Sequence, residues 1–169
     1  VASIPRVFIS STGEDLEKYR QAVTEAVNTV GWDPVKSEQW AASSHRRPLD
    51  ECLARVSACE LVIVVVAERY GWEPEEQKDE PRKSITWLEC EQAVSEGKEV
   101  LAFFVGAPGW PAEYREDYEL IQKLQTSETT PELLQQTQYR MDRLAALKDW
   151  LRGLGIRRTV DKPRELQIT

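Results

Sequence analysis

The chain has 169 residues, 22 Lys+Arg against 29 Asp+Glu and a formal net charge of −7, which suits one domain with a sizeable core and argues against general attraction to nucleic acid. Its 3 cysteines lie in apolar helical patterns, with no C-x-x-C pair or secretory signal, and point to buried reduced thiols in a cytoplasmic compartment. The longest apolar run, Leu61–Ala67, falls far short of the roughly 20 residues of a membrane span, so neither a membrane nor nucleic acid is an expected partner.

Arg6–Ser10 is a short apolar run entering a Ser-Ser-Thr-Gly turn, after which Leu16, Tyr19, Val23, Ala26, Val27 and Val30 recur at helical spacing. Ser11-x-x-Glu14 reads as a capping box and Gly31 as a helix stop. A brief strand at Pro34–Lys36 leads to Glu38–Trp40 and a polar loop. Pro48 then opens a helix with Leu49, Cys52, Leu53, Val56 and Cys59 on one face. Leu61–Val66 is continuously apolar, as a parallel strand covered on both faces requires, whereas Glu73–Lys83 is charged, broken by proline and reads as too polar to pack.

A helix over Thr86–Glu96 is closed by Gly97-Lys98 and followed by a strand at Val100–Val105. Tyr114–Leu124 and Pro131–Leu154 read as helices, the latter with a stripe of Leu133, Leu134, Met141, Leu144, Leu147 and Leu151 that serves the core or an adjoining domain. Ile156–Val160 reads as an edge strand and Pro163–Ile168 as a short terminal helix. Alternating strands and helices predict one α/β domain over 1–169, a flavodoxin-like three-layer sandwich whose sheet has about five mostly parallel strands, with added C-terminal helices.

Ligands of such sheets bind beyond the carboxyl ends of the strands, where the winding direction reverses. That rule selects Ser10–Gly13, Glu38–Trp40, Glu68–Trp72 and the loop delivering Thr86–Glu89. The Ser-Ser-Thr-Gly turn offers N–H groups to a phosphate but matches neither a Walker loop nor G-x-G-x-x-G, and a plain N-cap turn stays open. Thr86-x-x-Glu89 likewise fits a capping box. Phe8, Trp40, Tyr70 and Trp72 are rings that either stack on a base or pack. His45, alone in a polar loop, has no second ligand at metal spacing, so no metal is expected.

Val7–Thr12, Asp15-Leu16, Arg20, Arg69–Gly71, Ser84–Thr86 with Glu89 and Ala93, and Gly97-Lys98 before a strand form an ordered set. The set resembles an uncharacterised domain family that usually stands at the N-terminus of large STAND-type NTPases with tetratricopeptide or WD repeats. That family is similar to TIR domains and nucleoside 2-deoxyribosyltransferases, and the resemblance implies a TIR-like fold with an active-site glutamate on the helix after the third strand. The transferase pattern G-T-x-x-E-x-G-x-A is echoed by Ile85–Ala93 and selects Glu89, although Ile85 and Glu91 replace its glycines. The TIR pattern S-x-W-C-x-x-E, anchored on Trp87, selects Glu91. Two residues apart on a helix, these carboxylates diverge by about 200°, so at most one faces a given pocket. The spacing to Thr86 and Ala93 favours Glu89.

The resemblance further implies a substrate held by Phe8, Ser10, Ser11, Thr12, Trp40, Tyr70, Gly71, Trp72 and Thr86, and no cofactor, with NAD+ or a related nucleotide as substrate. Breaking an N-glycosidic bond builds positive charge on the sugar, which a fixed carboxylate stabilises or attacks. The chain is then expected to be an N-terminal piece of a longer immune-type receptor, active as a homo-oligomer and attached to further C-terminal domains. A non-catalytic adaptor, and a nucleoside hydrolase or transferase that does not use NAD+, remain alternatives.

Overall fold

The apolar run Leu61–Val66 becomes the central strand of the sheet in the computed structural model, which describes residues 2–37, 47–106, 110–155 and 157–166. The elements in chain order are β1 (Arg6–Ser11), α1 (Glu17–Thr29), β2 (Asp33–Lys36), α2 (Leu49–Ser57), β3 (Leu61–Val66), α3 (Ile85–Ser95), β4 (Glu99–Val105), α4 (Tyr118–Gln125), α5 (Pro131–Gly153) and β5 (Arg157–Val160). Short 3-10 turns occur at Glu14–Leu16, Ala112–Tyr114 and Pro163–Leu166. The strands pair in the order β2-β1-β3-β4-β5, all parallel. This is the doubly wound flavodoxin-like order, and the winding reverses between β1 and β3.

Alternation along the strands divides the core into two layers. Val7 and Ile9 of β1 join Leu16, Tyr19, Val23 and Val27 beneath α1, and Leu166 closes that side. Phe8 points the other way, with Val62, Val64 and Val66, toward Val56 of α2, Trp87 and Cys90 of α3 and Leu144, Leu147 and Leu151 of α5. The long helix α5 is therefore part of the sandwich, whereas α4 contributes no buried residue. Cys52, Cys59 and Cys90 are buried thiols, in no disulfide among the described residues. Among the described residues no helix is long and apolar enough to cross a membrane.

Gly31 and Gly97 end α1 and α3 at φ +78° and +72°. In each case the glycine N–H and the next N–H bond back to carbonyls of the last turn: Gly31 to Asn28, Trp32 to Val27, Gly97 to Val94 and Lys98 to Ala93. Other boundaries differ from the sequence reading. Ser11 is the last residue of β1 and its hydroxyl accepts from Arg20, while α1 begins after Leu16 with no side-chain cap. Pro48 precedes α2, and the helix expected over Tyr114–Leu124 starts only at Tyr118.

Glu73–Lys83 is mostly exposed and forms neither helix nor strand, as its polar composition implies, and it is held by polar bonds. Gln77 donates to the Pro74 and Lys83 carbonyls and accepts from the Lys83 N–H, and Arg143 donates to the Arg82 carbonyl.

Candidate functional site

Helix α3 enters with Ser84 as N-cap, its hydroxyl accepting from the Trp87 N–H at 3.4 Å. Thr86 lies inside the helix, so the box Thr86-x-x-Glu89 does not form and the Glu89 side chain is engaged elsewhere. Ser10 Oγ, near the end of β1, donates to Glu89 Oε2 at 2.5 Å. Ser37 Oγ, just past β2, donates to Oε1 at 2.9 Å. Glu89 is 1% exposed. Burial lifts its pKa from 4.5 to about 7, while the Ser10 and Ser37 bonds and the Arg55 charge draw it down. Near neutrality both protonation states are within reach, the condition for a carboxyl that stabilises charge or moves a proton.

Glu91, two residues on, turns outward and takes Lys83 Nζ at 2.7 and 2.9 Å. One of the two candidate carboxylates is thus inside the sandwich and the other is in a surface ion pair.

Around Glu89 the expected residues take different places. Thr86 and Ser10 are buried beside it in α3 and β1, and Thr12 is buried next to Gly71. Gly71 has φ +96°, a backbone conformation that suits glycine, and a Cβ there would stand 3.4 Å from Thr12 Cγ2, in ordinary contact. Ser11 faces the α1 side and accepts from Arg20, which also donates to the Gly13 carbonyl. Trp72 is partly exposed and shares a shallow groove with Arg47, Glu75 and Glu76. Trp40 and His45 lie outside the described residues.

Phe8 and Tyr70 are fully buried rings of the core. Phe8 sits there by strand parity. Tyr70 is drawn in by its hydroxyl, which accepts from the Ser84 N–H at 2.8 Å and lies 3.4 Å from the Arg82 carbonyl, and its ring meets Trp87 edge-on. Replacing Tyr70 with Phe leaves the buried Ser84 N–H without its acceptor, at an expected cost of about 1–3 kcal/mol in urea unfolding. An unchanged midpoint would show that this bond does not hold the entry to α3.

Several residues at the site carried no signal in the sequence. Ser37 is a lone serine after a four-residue strand, and only the β2-β1 pairing brings it to Glu89. Glu116, in the loop before α4, accepts from the Tyr70 N–H at 2.9 Å and pairs with Arg140 of α5, whose other nitrogen donates to the Gly71 carbonyl at 3.0 Å. Arg69 donates to the Glu113 and Tyr114 carbonyls. The loop after β3 is thereby fastened to the C-terminal third of the chain.

A family model described as a domain of unknown function (DUF4062) matches residues 6–163. Among solved structures, the chain is similar to the TIR domains of the activated Roq1 resistosome that directly recognises the pathogen effector XopQ, at 12% identity, over 86% of this chain and 84% of that one, with a TM-score of 0.45. It is also similar to a flavodoxin-like domain from Synechococcus sp., at 13% identity, over 87% of this chain and 99% of that one, with a TM-score of 0.36. No curated protein sequence matches the chain. Identities this low carry no side-chain chemistry, and the architecture rests on the strand order itself.

Proposed function

We propose that this chain, which belongs to the DUF4062 family, is a TIR-like signalling domain whose Glu89 cleaves the N-glycosidic bond of NAD+ or a related nucleotide when copies are brought together. The observation that carries this reading is the Glu89 carboxyl, closed inside the α/β sandwich, held by Ser10 and Ser37 and lifted to about 7. A fixed carboxylate in such a place opposes the positive charge that develops on a ribose as its base departs. The attached STAND-type domains of a longer receptor would supply the proximity, in a cytoplasmic setting.

The test is base release from NAD+ and from common nucleosides by tethered copies, compared with dilute protein. Glu91→Gln is the matched control. It removes an ion pair whose partners are each about one-third exposed, so turnover should stay within about twofold and stability within about 1 kcal/mol. A dead Glu91→Gln beside an active Glu89 variant would transfer the role to the TIR-anchored position.

A second reading, a non-catalytic adaptor, is favoured by the exposed apolar side chains Tyr118, Ile121 and Leu124 on α4 and Leu134 and Met141 on α5. Absence of base release from every tethered form would leave that reading in place.

A further inference from the structure

Thr12 and Asp15 stand in the turn leaving β1, at the reversal of winding where the turn faces the loop leaving β3. Thr12 is 1% exposed, and its Oγ1 has no hydrogen-bond partner among the described residues. Both Asp15 carboxylate oxygens are closed from solvent, and no other described residue donates to either. A hydroxyl and a carboxylate closed from solvent with no donor or acceptor on another described residue are costly to the fold, and native structures contain few such groups.

The surroundings restrict what would satisfy these atoms. Burial raises the Asp15 pKa from 3.8 to about 6, against the pull of its own N–H and of the Arg69 and Arg20 charges, and Glu116 adds to the rise. An anionic ligand group would meet the Asp15 charge, and a cation or metal ion would meet the two guanidinium charges. An apolar group would leave every oxygen unsatisfied. A neutral group with two adjacent O–H donors fits a carboxylate with two open oxygens.

We infer that Thr12 and Asp15 form a subsite for the vicinal diol of a ribose, in which Asp15 accepts from the two hydroxyls and Thr12 makes a further bond. The inference rests on the nucleotide reading above and gives that site its sugar contact. Thr12 is two residues beyond Ser10, the partner of Glu89, so one nucleoside can engage both centres. The Arg69 stem lies over the turn, its Cδ 3.8 Å from where a Cβ on Gly13 would stand.

The experiment measures binding of adenosine and nicotinamide riboside, each against its 2′,3′-dideoxy counterpart, by NMR titration of the full chain. Carboxyl carbon shifts of Asp15 are followed in parallel. Wild type should prefer the ribose forms by about a hundredfold or more, the size expected when two charge-assisted bonds are lost. The ribose forms should lower the Asp15 pKa and the dideoxy forms should not. Asp15→Asn and the isosteric Thr12→Val should each shrink the preference, and Thr12→Val decides if Asp15→Asn does not fold.

Equal binding of both forms to wild type, binding of neither, or a preference untouched in the variants overturns the inference and leaves these oxygens to water alone. The two readings fail separately. Glu89-dependent base release with no diol preference removes the subsite only, whereas an Asp15-dependent diol preference without base release removes only the enzyme.

Discussion

Glu89→Gln should lower base release by tethered protein about a hundredfold or more while making the folded domain more stable above neutral pH. The first effect follows from deleting the charge and keeping the shape. The second follows from linkage. Between 4.5 and about 7 the unfolded chain has released the Glu89 proton and the folded chain has kept it, so wild-type stability falls as pH rises through that window. Above about 7 the loss is complete and amounts to about 3 kcal/mol. Glutamine has no proton to lose, so the variant lacks this decline and should exceed wild type by up to that amount at pH 8.

Asp15, raised to about 6, contributes a decline of the same sign to both proteins and cancels in the difference. If the ionised form does the work, wild-type base release also rises with pH through about 7. Urea unfolding at pH 5 and pH 8, with nicotinamide release at the same values, separates the possibilities. A variant that is more stable at pH 8 yet fully active would mark Glu89 as a strained buried carboxyl without a catalytic role. A variant that is neither more stable nor less active would remove both arguments.

Leu147→Ala in α5 should cost about 2–5 kcal/mol, the range for truncating a fully buried leucine whose neighbours cannot close the gap. Leu147 is fully buried in the layer that contains Phe8, Val64 and Trp87. Leu134, on the same helix, is 51% exposed, and its alanine variant should stay within about 0.5 kcal/mol. The contrast bears on function because α5 also carries Arg140 and Arg143, which bond the Gly71 and Arg82 carbonyls of the loop after β3. Destabilising α5 should therefore loosen that loop, seen as faster amide exchange at Tyr70 and Ser84, whose N–H groups are hydrogen-bonded there. Equal costs for the two leucines would mean that α5 is not seated as described.

Much of this architecture follows from local pattern alone. The unbroken apolar β3, the 3.6-residue spacing in α1 and α5 and the glycines that stop α1 and α3 are properties of neighbouring residues, so strands, helices and an α/β sandwich could be read without coordinates. The divergence of Glu89 and Glu91 is likewise a consequence of helical pitch. Its direction is not. Which carboxylate enters the interior depended on where the sheet lies, and that same choice sent Glu89 to Ser10 and Ser37 instead of to a cap at Thr86.

Strand order brought Ser37 beside Ser10 across a long sequence gap, and parity placed Phe8 in the core. Hydrogen bonds to Ser84 and Arg82 drew Tyr70 inward, and side-chain bonds ordered Glu73–Lys83. Periodicity records which face of an element is apolar. The partner of a polar side chain is decided by residues distant in sequence, because a hydrogen bond depends on distance and direction in space.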